Sequence, residues 1–174
     1  QDIDSRNIFV AGHSLGALMA PRIGERDPAI AGLILLAAPA SKLEDIVVRQ
    51  TRYLARLQGM GNAEIDKALA AIEPQREAVK KLAADAAPGT PQLLELPASY
   101  WRDLNGYDPI ATAALIKQPM LILQGGRDYQ VTVADEFSVW RAAFATNPRF
   151  EMIEYPLLGH AFMTGNDPPG PKDA

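Results

Sequence analysis

Cysteine is absent from this chain of 174 residues. Disulfides and thiolate metal sites are excluded at once. The compartment stays open between cytoplasmic and secreted, because a cysteine-free chain works in either. No apolar run approaches the roughly 20 residues that a membrane-crossing helix needs, so no membrane partner is expected. Basic charge is the scarcer sign: 17 Lys and Arg against 21 Asp and Glu give a formal net charge of −4. The basic patch of a nucleic-acid binder is therefore not foreseen. No metal-ligand spacing and no phosphate-cradling loop occurs, so no metal and no cofactor is expected. Histidine is rare, with only His13 and His160. The start, QDIDSRNIFV, lacks both an initiator Met and a basic-then-apolar leader. It reads as the cut edge of something longer.

What is present is an ordinary globular balance, 48% hydrophobic and 22% charged, on a length that supports one real core. Asn7 to Ala11 is a short strand-type run, and Leu15 to Ile23 follows with helical spacing. Ile30 to Ala37 reads as a buried strand, apolar on both faces as in sheets covered by helices. From Lys42 to about Ala86 the texture becomes helical. LEDIVVRQTRYLARLQ puts Leu43, Ile46, Val47, Leu54 and Leu57 on one face. NAEIDKALAAIEPQREAVKKLAADA reads as one or two further helices, with a break or start expected at Pro74. Pro88 to Pro97 reads as a loop. Strand pattern returns at Met120–Gln124 and Phe150–Tyr155, with a helix over Thr132–Ala145 between them. Strands alternating with helices imply a parallel sheet with right-handed crossovers.

The stretch FVAGHSLGALMA carries the sharpest chemical signal. A serine hydroxyl is a weak nucleophile until a base stands beside it. It also needs exposure at a strand end, near backbone N–H donors. A tight strand-to-helix turn supplies both and requires small residues on each side of the nucleophile. Gly12 and Gly16 flank Ser14 in that way. The helix after Ser14 points its N-terminus at the site, which favours developing negative charge. The Leu15 N–H would be one oxyanion donor. The pattern G-x-S-x-G arises by chance in roughly one chain in twenty of this length. The competing reading is that Ser14 caps a helix and the glycines serve a turn.

The partners narrow the choice. His13 adjoins Ser14, and neighbouring side chains on such a turn diverge, so it can line the pocket but is poorly placed as the base. His160, in YPLLGHAFM just past the last strand, can swing over the sheet end. Asp128 follows MLILQGGR directly beyond the third strand and can hold the imidazole tautomer. The order Ser14, Asp128, His160 is the serine, acid, histidine order of a strand–turn–helix hydrolase. Asp135 and Glu136 fall in the next helix, Asp108 precedes a proline as a turn residue would, and Glu151 and Glu154 lie in or near a strand. Arg127 reads as a structural ion-pair residue.

GHSLG, PMLILQGGRDYQVT and YPLLGHAFM together resemble the α/β-hydrolase superfamily. More narrowly they are similar to bacterial serine esterases near the dienelactone-hydrolase and acyl-peptidase-like branches. NGYDPIATAALIKQPMLILQGGRDYQV carries the likeness furthest, since that branch often joins Tyr-Asp-Pro to such a strand and its Asp. The resemblance covers most of the chain outside the helical insert. It implies an α/β fold, a partial α/β-hydrolase with a mostly parallel sheet flanked by helices and a helical cap insertion. The core would be residues 1–40 and 105–174, and the cap 41–104. It implies Ser14 as nucleophile, Asp128 as acid and His160 as base. Two departures matter. The family's first strands and second oxyanion donor lie upstream of the serine, and only 13 residues precede Ser14 here. The chain ends in the turn-rich GNDPPGPKDA, where the family has a closing helix. The resemblance thus implies a C-terminal part of a hydrolase, with one donor missing at a typical cost of roughly 10²–10³ in rate.

The expected substrate is a small apolar carboxylic ester. His13, Tyr129, Trp101 and Tyr107 are candidates to border it, with Tyr53 and Tyr100 as further aromatics of the insert, although several of these aromatics would equally serve as core. Peptidase or thioesterase chemistry uses the same three residues. A catalytically weak fragment, serving as an interaction or structural module, is the remaining alternative. The strand with Phe9 and Val10 would present an open apolar edge. Self-association through that edge is expected, as a dimer or swapped assembly, unless an upstream part of the same parent chain covers it.

Overall fold

A computed structural model describes residues 4–83, 85, 87 and 93–173. They form four strands: β1 (Phe9–His13), β2 (Gly32–Leu36), β3 (Met120–Gly125) and β4 (Phe150–Tyr155). Six α-helices accompany them: α1 (Leu15–Arg26), α2 (Leu43–Leu57), α3 (Asn62–Lys80), α4 (Ala98–Asn105), α5 (Pro109–Leu115) and α6 (Ser138–Phe144). The chain divides into two compact units, Gln1–Ala40 with Asp108–Ala174, and Ser41–Tyr107.

The first unit holds one sheet in the order β1-β2-β3-β4, parallel throughout. Side chains alternate across a strand, so the register sorts them onto two faces. Leu33, Leu35, Met120, Ile122 and Phe150 share one face. They form the core with Ala17 and Ala20 of α1, Ala113 and Ile116 around α5, and Trp140 and Phe144 of α6. The other face carries Phe9, Ile34, Leu121 and Leu123. Phe9 is 55% exposed, and Ile34, Leu121 and Leu123 are half-buried. The expected burial of β2 on both faces therefore holds on one face only. Helices from this unit reach that face, while the opposite one is left partly open.

Local chemistry explains the element ends. Asp108 is more than a turn residue: its carboxylate caps α5, accepting from the N–H groups of Ile110 and Ala111 at 2.9 and 3.0 Å, with Pro109 at the first helical position. Thr132 caps the next segment in the same way, accepting from the Asp135 N–H at 3.0 Å. That segment opens with a π-helical turn, Val133–Phe137, before α6.

In the second unit, α2 and α3 pack through Ala55, Ile65 and Leu69, with Val48 and Ile72 beside them. The break expected at Pro74 does not occur: α3 runs through it. An interior proline forfeits one backbone bond. Ile65, Leu69 and Val79 are buried on either side of it, and that packing keeps both halves in one helix. Arg76 and Lys80 of α3 meet Asp45 of α2 at 2.6 and 2.8 Å. The helix expected up to Ala86 ends at Lys80. Of the loop expected at 88–97, residues 88–92 lie outside the described residues, and Leu93–Glu95 form a short 3₁₀ turn.

Candidate active site

β1 ends at His13, and the chain turns sharply at Ser14, whose φ of 54° and ψ of −117° are far from both strand and helix. Such a conformation costs on the order of 1–3 kcal/mol and persists only where neighbours enforce it. Here the Ser14 N–H donates to the Leu36 carbonyl at 2.9 Å, pinning the turn to the end of β2. The Ser14 hydroxyl makes no capping bond to α1, so capping does not account for the serine. The first bond of α1 runs from the Leu18 N–H to the Ser14 carbonyl at 3.0 Å. The N–H groups of Leu15, Gly16 and Ala17 thus have no acceptor within the helix. The two glycines of the motif differ. A Cβ on Gly12 would stand 2.3 Å from the Gly16 carbonyl oxygen, whereas a Cβ on Gly16 would meet nothing within 4 Å. The expected need for a small residue on both sides is met at Gly12 alone.

Asp128 lies beyond β3 and its carboxylate is fully engaged. One oxygen accepts from the N–H groups of Gln130 and Val131 at 2.8 and 2.9 Å. The other stands 2.8 Å from His160 Nδ1. An ionised carboxylate only accepts, so Nδ1 carries a proton, and in the neutral imidazole Nε2 keeps its lone pair. Gln124, the last polar residue of β3 and fully buried, supports this arrangement. Its amide donates to the Val131 carbonyl at 2.8 Å and approaches Asp128 at 3.4 Å. Sequence reasoning passed over Gln124, although one polar residue ending an apolar strand was a usable signal.

The segment after β4 brings His160 back over β3. Gly125 permits this: a Cβ there would stand 2.5 Å from the carbonyl oxygens of both Leu158 and Gly159. The Arg127 N–H donates to the Leu158 carbonyl at 3.0 Å. On the other side, His13 Nε2 lies 2.8 Å from the His160 carbonyl oxygen. A carbonyl cannot donate, so His13 carries its proton on Nε2. The two imidazole centroids are 4.7 Å apart, and the Phe162 ring meets His13 edge-on at 6.5 Å.

Tyr129 is half-buried beside Asp128, and Leu15 is 43% exposed. Trp101 and Tyr107 belong to the second unit and are buried, with the Trp101 indole N–H donating to the Leu93 carbonyl at 3.1 Å. They serve packing there. Tyr100 is half-buried, which pushes its phenol pKa up. Among the competing acids, Glu136 is buried and accepts from the Ala40 N–H at 2.7 Å. Glu154 pairs with Arg141 at 3.0 Å. Arg127 pairs with Asp167 at 3.2 Å and bonds the Asn166 carbonyl, as a structural residue does.

Residues 1–168 match the family described as Serine aminopeptidase, S33. Esterase EstD of Thermotoga maritima is 33% identical over 162 residues, which is 93% of this chain and 37% of that protein. The chain therefore spans little more than a third of this curated relative. Among solved structures, Est1E from Butyrivibrio proteoclasticus superposes with a TM-score of 0.52 at 17% identity, over 90% of this chain and 54% of that one. A puromycin-hydrolysing peptidase from Mycobacterium tuberculosis gives a TM-score of 0.54 at 14% identity, over 91% and 19%. At these identities the structural likeness is one of fold.

Proposed function

The chain belongs to the Serine aminopeptidase, S33 family and has the α/β-hydrolase fold; from that premise we propose that it is a serine hydrolase of carboxylic esters, with Ser14 as nucleophile, His160 as base and Asp128 as the acid that orients it. The observation that carries this reading is the 2.8 Å bond between Asp128 and His160 Nδ1. It leaves Nε2 as the proton acceptor, on a segment whose carbonyl is bonded to the residue beside Ser14.

The chemistry follows. Ser14 Oγ bonds to the ester carbonyl carbon while its proton passes to His160 Nε2. Asp128 stabilises the resulting imidazolium without taking the proton itself. Negative charge on the former carbonyl oxygen faces the start of α1, where the Leu15 N–H is a donor. The carbon–oxygen bond to the alcohol then breaks, and His160 returns its proton to the departing alkoxide. Water repeats the sequence on the acyl-enzyme and frees the acid. The half-buried Tyr129 borders the same rim as a substrate-facing residue.

A fluorophosphonate probe tests this. Labelling that maps to Ser14, and is lost in Ser14→Ala and His160→Ala, is the expected result. Absence of labelling in the wild-type protein refutes the reading. The family description favours one second reading, an aminopeptidase with the same three residues. Turnover of p-nitrophenyl esters against aminoacyl p-nitroanilides separates the two, and faster anilide cleavage selects the second.

A further inference from the structure

We infer that His13 is a positioning residue for His160, acting through the main chain of the base rather than on the substrate. The inference rests on the assignment of Ser14, Asp128 and His160 given above. His13 is the last residue of β1 and the immediate neighbour of Ser14. Its Nε2–H donates to the carbonyl of the residue that bears the base, 147 positions away in sequence. One side chain and one peptide unit therefore set the spacing between nucleophile and base.

The other restraints on this segment act from different directions. The Arg127 N–H holds the Leu158 carbonyl from the β3 side, and Asp128 holds the ring from the same side. The Gly159 N–H bonds to the Met163 carbonyl at 2.9 Å, and Leu158 bridges Thr164, so these tie the segment to itself. Among the described residues, His13 supplies the hydrogen bond that ties it to β1. The tilted contact with the His160 ring and the edge contact with Phe162 limit the directions open to the His13 ring. With Nε2 committed as a donor, that nitrogen is not available as a base.

A pocket-lining His13 and a positioning His13 behave differently. Lining changes KM and depends on the acyl group. Positioning lowers kcat for every substrate by one factor, and lowers it equally for a small probe. The test compares His13→Phe, which keeps a ring but has no donor, with His13→Gln, which keeps an amide donor at comparable reach. Both are made in the protein carrying this chain. The readouts are the rate of fluorophosphonate labelling at Ser14, KM and kcat across p-nitrophenyl esters of several lengths, and Tm. Expected for His13→Phe is a fall in labelling rate and kcat of about tenfold or more, within the roughly 10²-fold that an ångström-scale misplacement costs. KM and Tm should be unchanged, and His13→Gln should recover most of the loss. Wild-type rates in His13→Phe overturn the inference. A change confined to KM, or rates that fall only in step with Tm in both variants, also overturns it. A wild-type protein that does not label at all removes the catalytic reading itself, and this inference with it, and is told apart by that control.

Discussion

Replacing Gly12 and Gly16 separately by alanine distinguishes a steric requirement from a motif. At Gly12 the new methyl would lie 2.3 Å from the Gly16 oxygen, 2.5 Å from its carbonyl carbon and 2.7 Å from the Ala17 nitrogen. All three are backbone atoms, so no rotamer relieves the clash. Ordinary contact begins at 3.4 Å, so the end of β1 and the start of α1 must separate by about 1.1 Å (3.4 − 2.3). α1 resists that shift, because its Ala17 and Ala20 are fully buried in the core. Overpacking of this kind costs typically about 1–3 kcal/mol. For a chain of this size that lowers Tm by roughly 2–12 °C. The same separation moves Ser14, which is anchored to Leu36 on one side and to Leu18 on the other. Labelling of Ser14 should then fall by on the order of 10²-fold. At Gly16 the methyl meets nothing within 4 Å, and alanine gains about 0.5–1 kcal/mol over glycine inside a helix. Gly16→Ala should therefore raise Tm slightly and label within a few-fold of wild type. Thermal unfolding and labelling kinetics on both variants decide the matter. If Gly12→Ala unfolds and labels like wild type, the steric account of the turn is wrong.

Asp128→Asn should keep the fold, since the side chain retains an oxygen for the Gln130 and Val131 N–H groups, while kcat falls by about 10⁴ as the His160 tautomer is lost; the circular dichroism spectrum together with ester turnover checks both halves. Gly125→Ala forces the Leu158 and Gly159 carbonyls back by about 0.9 Å (3.4 − 2.5) and carries His160 away from Asp128, so labelling should drop by roughly 10²-fold, and an unaffected rate would contradict it. Burial by itself would raise the Asp45 carboxyl, but the hydrogen bonds and charges of Lys80 and Arg76 outweigh it and hold its pKa below the ordinary value. A depressed carboxyl stabilises the folded state above its unfolded pKa and loses that contribution as pH falls through the folded one. Asp45→Asn should thus cost up to about 1 kcal/mol at neutral pH, with the gap from wild type closing under acid; Tm measured from pH 7 to pH 2 tests the sign.

Much of the first unit was legible because its signals are local. β4 was read at its observed bounds, and β1, β2 and β3 within a few residues, since short apolar runs between turn residues have few alternatives. The pairing of Asp128 with His160 was legible by scarcity: one candidate base remained once His13 was set aside, and one candidate acid sat directly beyond a strand. What was not legible depends on distance between chain segments. The roles of Gly125 and Gly12 arise where two backbones nearly touch, and composition does not record that. The hydrogen bond from His13 to the His160 carbonyl joins residues 147 apart, so the sequence offered His13 only as a pocket residue. Pro74 misled in the other direction, because its local penalty is overridden by the buried positions of α3 on each side.

The parallel topology explains how so little local signal can assemble so demanding a site. Every strand of this sheet runs the same way, so all four carboxyl ends lie along one rim. Ser14 follows β1, Asp128 follows β3, and His160 follows β4. Adjacent strands are about 4.8 Å apart, which puts the ends of β1 and β3 roughly 10 Å from each other and β4 farther still. That gap is too wide for a serine and an aspartate to share directly; in the mechanism proposed above the His160 imidazole, bonded to Asp128 at 2.8 Å, spans it. The bridge works only if the segment after β4 doubles back across β3 toward β1. The bare backbone of Gly125 opens that path, and the His13 bond to the His160 carbonyl marks how far along it the segment has come. Any substitution that fills the crossing or cuts that tie should therefore weaken the proposed acyl-transfer chemistry without touching a residue that meets substrate.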